Sequence, residues 1–171
     1  DIKRDEIKQS ILSKNIEKEK AEIISKLCFG NIRLAFDLIK SFDTKISIIK
    51  TLVISIIDKD LKSWQLNFNK MNKDEILNIF NFLIIFFRDV KTYNKNGNIC
   101  FNNFENYYKR LHKDYPYSIW LECIKTVNNS YNYLLRNGYS KLVTLSLFIE
   151  ISSILENKHF DKFRLSEWMV E

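Results

Sequence analysis

Three groups of residues in this chain have the types and spacing for chemistry. The first is Leu27-Cys28-Phe29-Gly30-Asn31-Ile32-Arg33-Leu34-Ala35. Glycine takes the left-handed backbone conformation of a helix C-terminus at least cost, so Gly30 reads as the stop of one helix. Asn31 reads as the cap of the next, accepting from a backbone N–H one turn on. That leaves Arg33 in a first turn whose unpaired N–H groups favour an anion. An arginine so placed can face a phosphate or pair with a local carboxylate.

The second group is basic and aromatic: Tyr107, Tyr108, Lys109, Arg110, Tyr115, Tyr117 and Trp120. Rings beside cations can stack bases while the cations hold phosphates, and the same residues also suit aromatic packing or a subunit surface. The third is the consecutive pair Arg88-Asp89. On a helix these point in different directions, a pattern for polar contacts that fix a bundle rather than for a reaction. His112 and His159 have no carboxylate or cysteine at a recognisable spacing, so neither is a base candidate. Cys28, Cys100 and Cys123 are odd in number, widely separated and without a C-x-x-C pair. They read as reduced core thiols, with no disulfide framework and no zinc site. No catalytic residue and no metal site is expected.

The elements that must carry these residues are helices. Three glycines and one proline in 171 residues are too few for the tight turns of a sheet protein of this length. Helical spacing predicts short elements over Asp5 to Lys14, Glu17 to Leu27 and Asn31 to about Ser41, a unit too small to be very stable alone. Phe42-Asp43-Thr44 reads as a break, with Asp43 or Thr44 as a cap, and as the boundary between two modules. Residues 45 to 58 are rich in β-branched side chains but lack turn residues, which favours helix; Leu61 to Met71 is open between a short helix and an ordered loop. Lys73 to Tyr93 starts acidic and is apolar nearly all round, the signature of a helix inside a bundle. Asn94 to Asn98 is a turn, Asn102 or Asn103 a cap for Phe104 to Lys113, and Pro116 a break. Tyr117 to Asn137 and Ser140 to about Glu156 complete the bundle. Their expected inward residues include Leu121, Leu135 and Leu142, and Asn137-Gly138 is the stop between them.

The net charge of +6 is uneven: residues 88 to 141 hold nine basic and four acidic groups. Such a segment can be a nucleic-acid footprint, although a chain crowded with Lys, Asn and Ile is also what an A+T-rich genome encodes. There is no signal-peptide pattern, the sequence opens without an initiator methionine as a fragment does, and no apolar run reaches the length of a membrane span. A cytoplasmic setting is expected.

Gly-Asn-x-Arg-x-Ala between two amphipathic helices resembles the sensor-2 region in the lid of AAA+ ATPases of the clamp-loader group. Phe86-Phe87-Arg88-Asp89-Val90 ending a hydrophobic helix, the turn to Gly97, Asn102-Asn103 and the late Asn137 together resemble the collar of clamp-loader subunits, most closely the delta-prime branch of bacterial DNA polymerase III. Asn103 or Phe104 stands where that pattern has Asp, and Tyr139 where it has a second Asn. The resemblance implies an all-α chain with a three-helix lid remnant over residues 1 to 42 and a collar bundle over 43 to 171. It implies a non-catalytic subunit that assembles with gamma/tau and delta and acts indirectly on the sliding clamp and primed DNA. By the same resemblance, Gly30, Asn31 and Arg33 form a sensor-2-like element, and Arg88, Asp89 and Asn137 are collar packing or interface residues. No G-x-x-x-x-G-K loop is present, so the phosphate cradle of an ATPase is missing and no cofactor is expected in this stretch. Two alternatives stand beside this reading. One is a gamma/tau fragment. The other is a stand-alone basic helical module in which Lys109, Arg110 and Lys113 contact nucleic acid.

Overall fold

The computed structural model describes residues 4–28, 30–93, 99–101 and 104–156. Among them every regular element is a helix: α1 (Arg4–Leu12), α2 (Lys18–Leu27), α3 (Ile32–Ile57), α4 (Leu61–Phe68), α5 (Lys73–Thr92), α6 (Glu105–Asp114), α7 (Tyr117–Leu135) and α8 (Ser140–Leu155). The chain is an all-α, multi-helix protein. It divides into two compact units, residues 1–47 and 48–171.

In the first unit α1 and α2 form a hairpin. Ile7 and Ile11 are buried, as are Ala21, Ile24 and Leu27, each set at helical spacing. The turn between them places Asn15 at φ 58°, a conformation asparagine tolerates better than most residues. On the outer side Glu22 collects three cations, Lys8 at 3.2 Å, Lys26 at 3.5 Å and Arg4 at 4.0 Å.

The expected break at Phe42-Asp43-Thr44 is absent, because α3 runs through it as one 26-residue helix. Aspartate and threonine are weak helix formers but not breakers, each costing only about 0.6 kcal/mol against alanine. The apolar stripe is uninterrupted: Ala35, Leu38, Phe42, Ile46, Ile49, Val53 and Ile56 are all buried at steps of three or four. Asp43, instead of capping, turns outward and accepts from Lys20 Nζ at 2.7 Å. The first part of α3 belongs to the first unit and the rest to the second.

α3 ends where Lys59 takes φ 57°, with Asp60 N donating to Ser55 O at 2.8 Å and Lys59 N to Ile56 O at 3.3 Å, the paired bonds of a Schellman cap. Asp60 then caps α4 by accepting from Ser63 N, which makes Leu61–Phe68 a helix rather than a loop. Trp64 pins α4 to α8 by donating from Nε1 to Thr144 O at 2.8 Å, and its ring meets Phe68 and Phe148.

α5 is the axis of the second unit. It opens with a full capping box, in which Asn72 accepts from Glu75 N while Glu75 accepts from Asn72 N. Eleven of its twenty residues are buried, and its main neighbour is α7. The face that α7 turns inward is Ile119, Trp120, Cys123, Thr126, Val127, Ser130 and Leu134. Small side chains at 123, 126 and 130 let the two helices approach closely. Leu121 and Leu135, expected in the core, lie off that face and are 42% and 49% exposed; Leu142 on α8 is 48% exposed.

Asn137 at φ 67° ends α7, with Gly138 N donating to Tyr133 O and Asn137 N to Leu134 O, a second Schellman cap. Here asparagine, not glycine, supplies the left-handed residue. Gly138 is needed for room, since a Cβ there would lie 2.8 Å from Tyr133 O.

Candidate functional site

The described residues of the Gly30 turn take up the expected local geometry. Gly30 has φ 83°, and Asn31 caps α3 by accepting from Leu34 N at 3.1 Å. Arg33 follows, exposed, and no described residue forms an ion pair with it. The turn therefore presents a guanidinium to solvent at a helix start.

The basic aromatic group divides. Tyr108 and Trp120 are fully buried and cannot stack bases. The ring of Tyr108 packs with Phe86 and Tyr93, and that of Trp120 lies parallel to Phe87 at 6.1 Å. Lys109 is paired with Glu105 at 3.1 Å and Arg110 with Asp114 at 3.8 Å, each one turn away on α6, so these two charges are locally offset. Lys113 is exposed in the last turn. His112 packs beside the Tyr93 ring with its Nε2 buried and without a hydrogen-bond partner among the described residues. His159, Gly97 and the Asn102-Asn103 cap lie outside the described residues. Asn128, Asn129 and Asn132 are exposed, whereas Asn137 Oδ1 accepts from Lys73 Nζ at 3.0 Å. Lys73 also donates to Leu135 O, tying the start of α5 to the end of α7.

Among the described residues a buried polar cluster surrounds Asp89. Its position on α5 faces inward with Phe82, Phe86 and Val90, so the carboxylate is fully buried. Oδ2 accepts from Cys100 N at 2.7 Å and from Phe101 N at 2.9 Å, holding the segment that leads to α6 against α5. Burial raises the Asp89 pKa, and the two backbone N–H groups and Arg88 pull in the other direction without overcoming it. Arg88 and Asp89 do not diverge as consecutive helical residues are expected to. The long arginine side chain curls back, placing Nη2 3.3 Å from Asp89 Oδ1 and 2.8 Å from Cys100 Sγ. Burial alone would lower the Arg88 pKa, but Cys100 and Asp89 together hold it above its ordinary value. Tyr108 Oη is buried against the same groups, beside the Asp89 carboxylate. Burial first, then the neighbouring Asp89 and Cys100, push its hydroxyl far up. Sequence reasoning named Arg88 and Asp89 but missed Cys100 and Tyr108, whose approach depends on how the connection folds back on α5.

A second feature is a set of exposed apolar side chains on two helices. Tyr117, Leu121 and Leu135 on α7, and Tyr139, Leu142 and Ile149 on and before α8, are large apolar residues that remain exposed. On α7 the steps of four and fourteen keep them on one face, opposite the buried one.

Among the described residues no group of three histidine, cysteine, aspartate or glutamate side chains is arranged to hold a metal ion. No described helix is long and apolar enough to cross a membrane. The chain matches no family model, no curated protein and no solved structure.

Proposed function

We propose that this chain is a structural subunit of a clamp-loader assembly of the delta-prime kind, its first unit a lid remnant and its second a collar. The observation that carries the reading is the exposed apolar residues on α7 and on α8, because apolar side chains of this kind on a polar surface suit a partner helix. The ordered resemblance from the Gly30 turn to Arg88-Asp89 and Asn137 supplies the identity of the partners, gamma/tau and delta. The mechanism is positional: the collar packs with its neighbours and holds their ATPase modules in register, so that ATP binding there opens the sliding clamp for primed DNA. The setting is the cytoplasm. Arg33 is the one residue of this reading that meets nucleotide.

The test is light scattering after size-exclusion chromatography, with the chain alone and then mixed with gamma/tau and delta from the same organism. A discrete heteromeric peak that disappears in the double variant Leu121→Asp, Leu135→Asp is the expected result. If gamma/tau and delta assemble with each other and leave this chain behind, the reading fails. Salt-sensitive binding to DNA that is lost when Lys109, Arg110 and Lys113 are replaced together would then favour a nucleic-acid module.

A further inference from the structure

Helix α8 has no polar face. Its charged residues are Lys141 and Glu150, and Glu150 is drawn to a flank, where it accepts from Ser146 Oγ at 2.8 Å. The inner side, against which α7 and α4 pack, buries Val143, Thr144, Leu147, Phe148 and Ile151. The outer side carries Leu142 at 48% exposure, Leu145 half-buried, Ile149 at 41% and Ser152 half-buried. Steps of three, four and three hold these four on one stripe that repeats every seven residues, the spacing with which one helix seats against another. A helix apolar all round is ordinarily covered on every side, yet among the described residues this stripe is left open.

The order of the residues along the stripe indicates what covers it. Reversed and laid against itself, the stripe sets Leu145 opposite Ile149 at the centre and Leu142 opposite Ser152 at each end, so that a large side chain meets a small one where the helices begin to part. The charges select the same direction. Lys141 lies in the first turn of α8 and Glu156 is its C-cap, so an antiparallel copy brings each Lys141 toward the other chain's Glu156, whereas a parallel copy sets lysine beside lysine and glutamate beside glutamate. Opposed helix dipoles favour the antiparallel pair as well. Glu156 is already held by Lys59, so the added lysine fixes register more than it adds strength.

We propose that the outer stripe of α8 seats a second copy of this chain, giving an antiparallel pair whose two-fold axis passes midway between Leu145 and Ile149. The same patch then serves both copies, as a two-fold interface requires. The inference goes beyond the clamp-loader reading and does not rest on it. A stripe one helix wide covers less than the ~800 Å² per partner of a standard interface, so the pair is reversible, with a dissociation constant on the order of 100 μM.

The experiment uses the intact chain alone, without other subunits, in sedimentation velocity runs from about 5 to about 500 μM, which bracket that constant. The expected result is a shift from monomer to dimer across the range, and Ile149→Glu, which sets an unpaired carboxylate at the centre of the pair, is expected to weaken it about ten-fold or more. Register is read with a short bismaleimide crosslinker, the native cysteines being buried. A mixture of Leu145→Cys and Ile149→Cys chains is expected to crosslink into dimers, and Leu142→Cys alone is not, because the two copies of position 142 lie at opposite ends of the pair. A chain that stays monomeric throughout overturns the proposal, as does a dimer that folded Ile149→Glu leaves unchanged. Leu142→Cys chains that crosslink to each other as fast as the mixture overturn it too, since that is the parallel arrangement. Should Ile149→Glu not fold, the crosslinking pattern decides alone.

Discussion

Replacing Asp89 by alanine removes the acceptor of two backbone N–H groups, those of Cys100 and Phe101, which are 3% and 1% exposed. Each donor left buried and unpaired costs about 1 to 3 kcal/mol, and relief from holding a buried charge returns part of that. The expected net loss is about 3 kcal/mol. In Asp89→Asn one carbonyl oxygen can still accept from both N–H groups. It loses the charge assistance, while the carboxylate it replaces is one that burial disfavours, so this variant is expected within about 1 kcal/mol of the wild type. Urea unfolding followed by the fluorescence of Trp64 and Trp120, both fully buried in the second unit, measures the difference. With a slope of about 2 kcal/mol per molar, alanine lowers the midpoint by about 1.5 M and asparagine by less than about 0.5 M. The sign of the pH effect follows from the raised pKa. Folded Asp89 binds its proton more tightly than the unfolded chain does, so wild-type stability relative to Asp89→Asn rises as pH falls through the folded pKa toward 3.8. An asparagine variant as damaging as the alanine one, or an alanine variant indistinguishable from the wild type, refutes the acceptor role.

Gly138→Ala brings a methyl group to 2.8 Å from the carbonyl oxygen of Tyr133 and within 3.1 Å of Val143, so the α7–α8 turn must shift. A lowered thermal midpoint, equivalent to about 1 to 3 kcal/mol, is expected. Asp43→Pro removes a backbone donor inside α3 and is expected to cost about 3 kcal/mol or more, with a loss of helical dichroism, whereas a chain with a natural break there would tolerate it. Glu22→Gln is expected to flatten the acid limb of the first unit's stability. The side-chain bond from Lys8, with the charges of Lys8 and Lys26, lowers the Glu22 pKa below 4.5. Its contribution is therefore present above that value and is lost as pH falls through the lower folded pKa, which a titration of unfolding at constant salt can follow.

The helical elements were legible where the apolar spacing was strong and the punctuation local. Gly30 with Asn31, the acidic start at Asp74 and Glu75, and Pro116 mark ends by their own chemistry, and the structure places helix ends there. Phe42-Asp43-Thr44 misled because two capping residue types were weighed above a stripe from Ala35 to Ile56 that never loses step. Leu121, Leu135 and Leu142 misled differently. Hydrophobicity alone does not rank positions on one helix, and the close contact of α7 with α5 reserves its inner face for small residues such as Cys123 and Ser130. Within the Asp89 cluster the pair Arg88-Asp89 was visible. Cys100 and Tyr108 were not, since nothing in their spacing reveals that the chain returns to α5 eleven residues after Asp89.

Among the described residues, three turns place a residue other than glycine in the left-handed region: Asn15, Lys59 and Asn137. Each carries strain of about 1 kcal/mol that glycine would not. Asparagine and lysine are written with adenine in their first two codon positions and glycine with guanine in both, so relief at any of these sites requires a pair of nucleotide changes. The intermediates pass through serine, aspartate, arginine or glutamate, none of which recovers the benefit. A lineage whose DNA drifts toward adenine and thymine therefore keeps such turns as standing inefficiencies, and selection acting one base at a time has little means of removing them. Lys59 and Asn15 are accordingly the first places where directed replacement by glycine should improve on what inheritance has supplied.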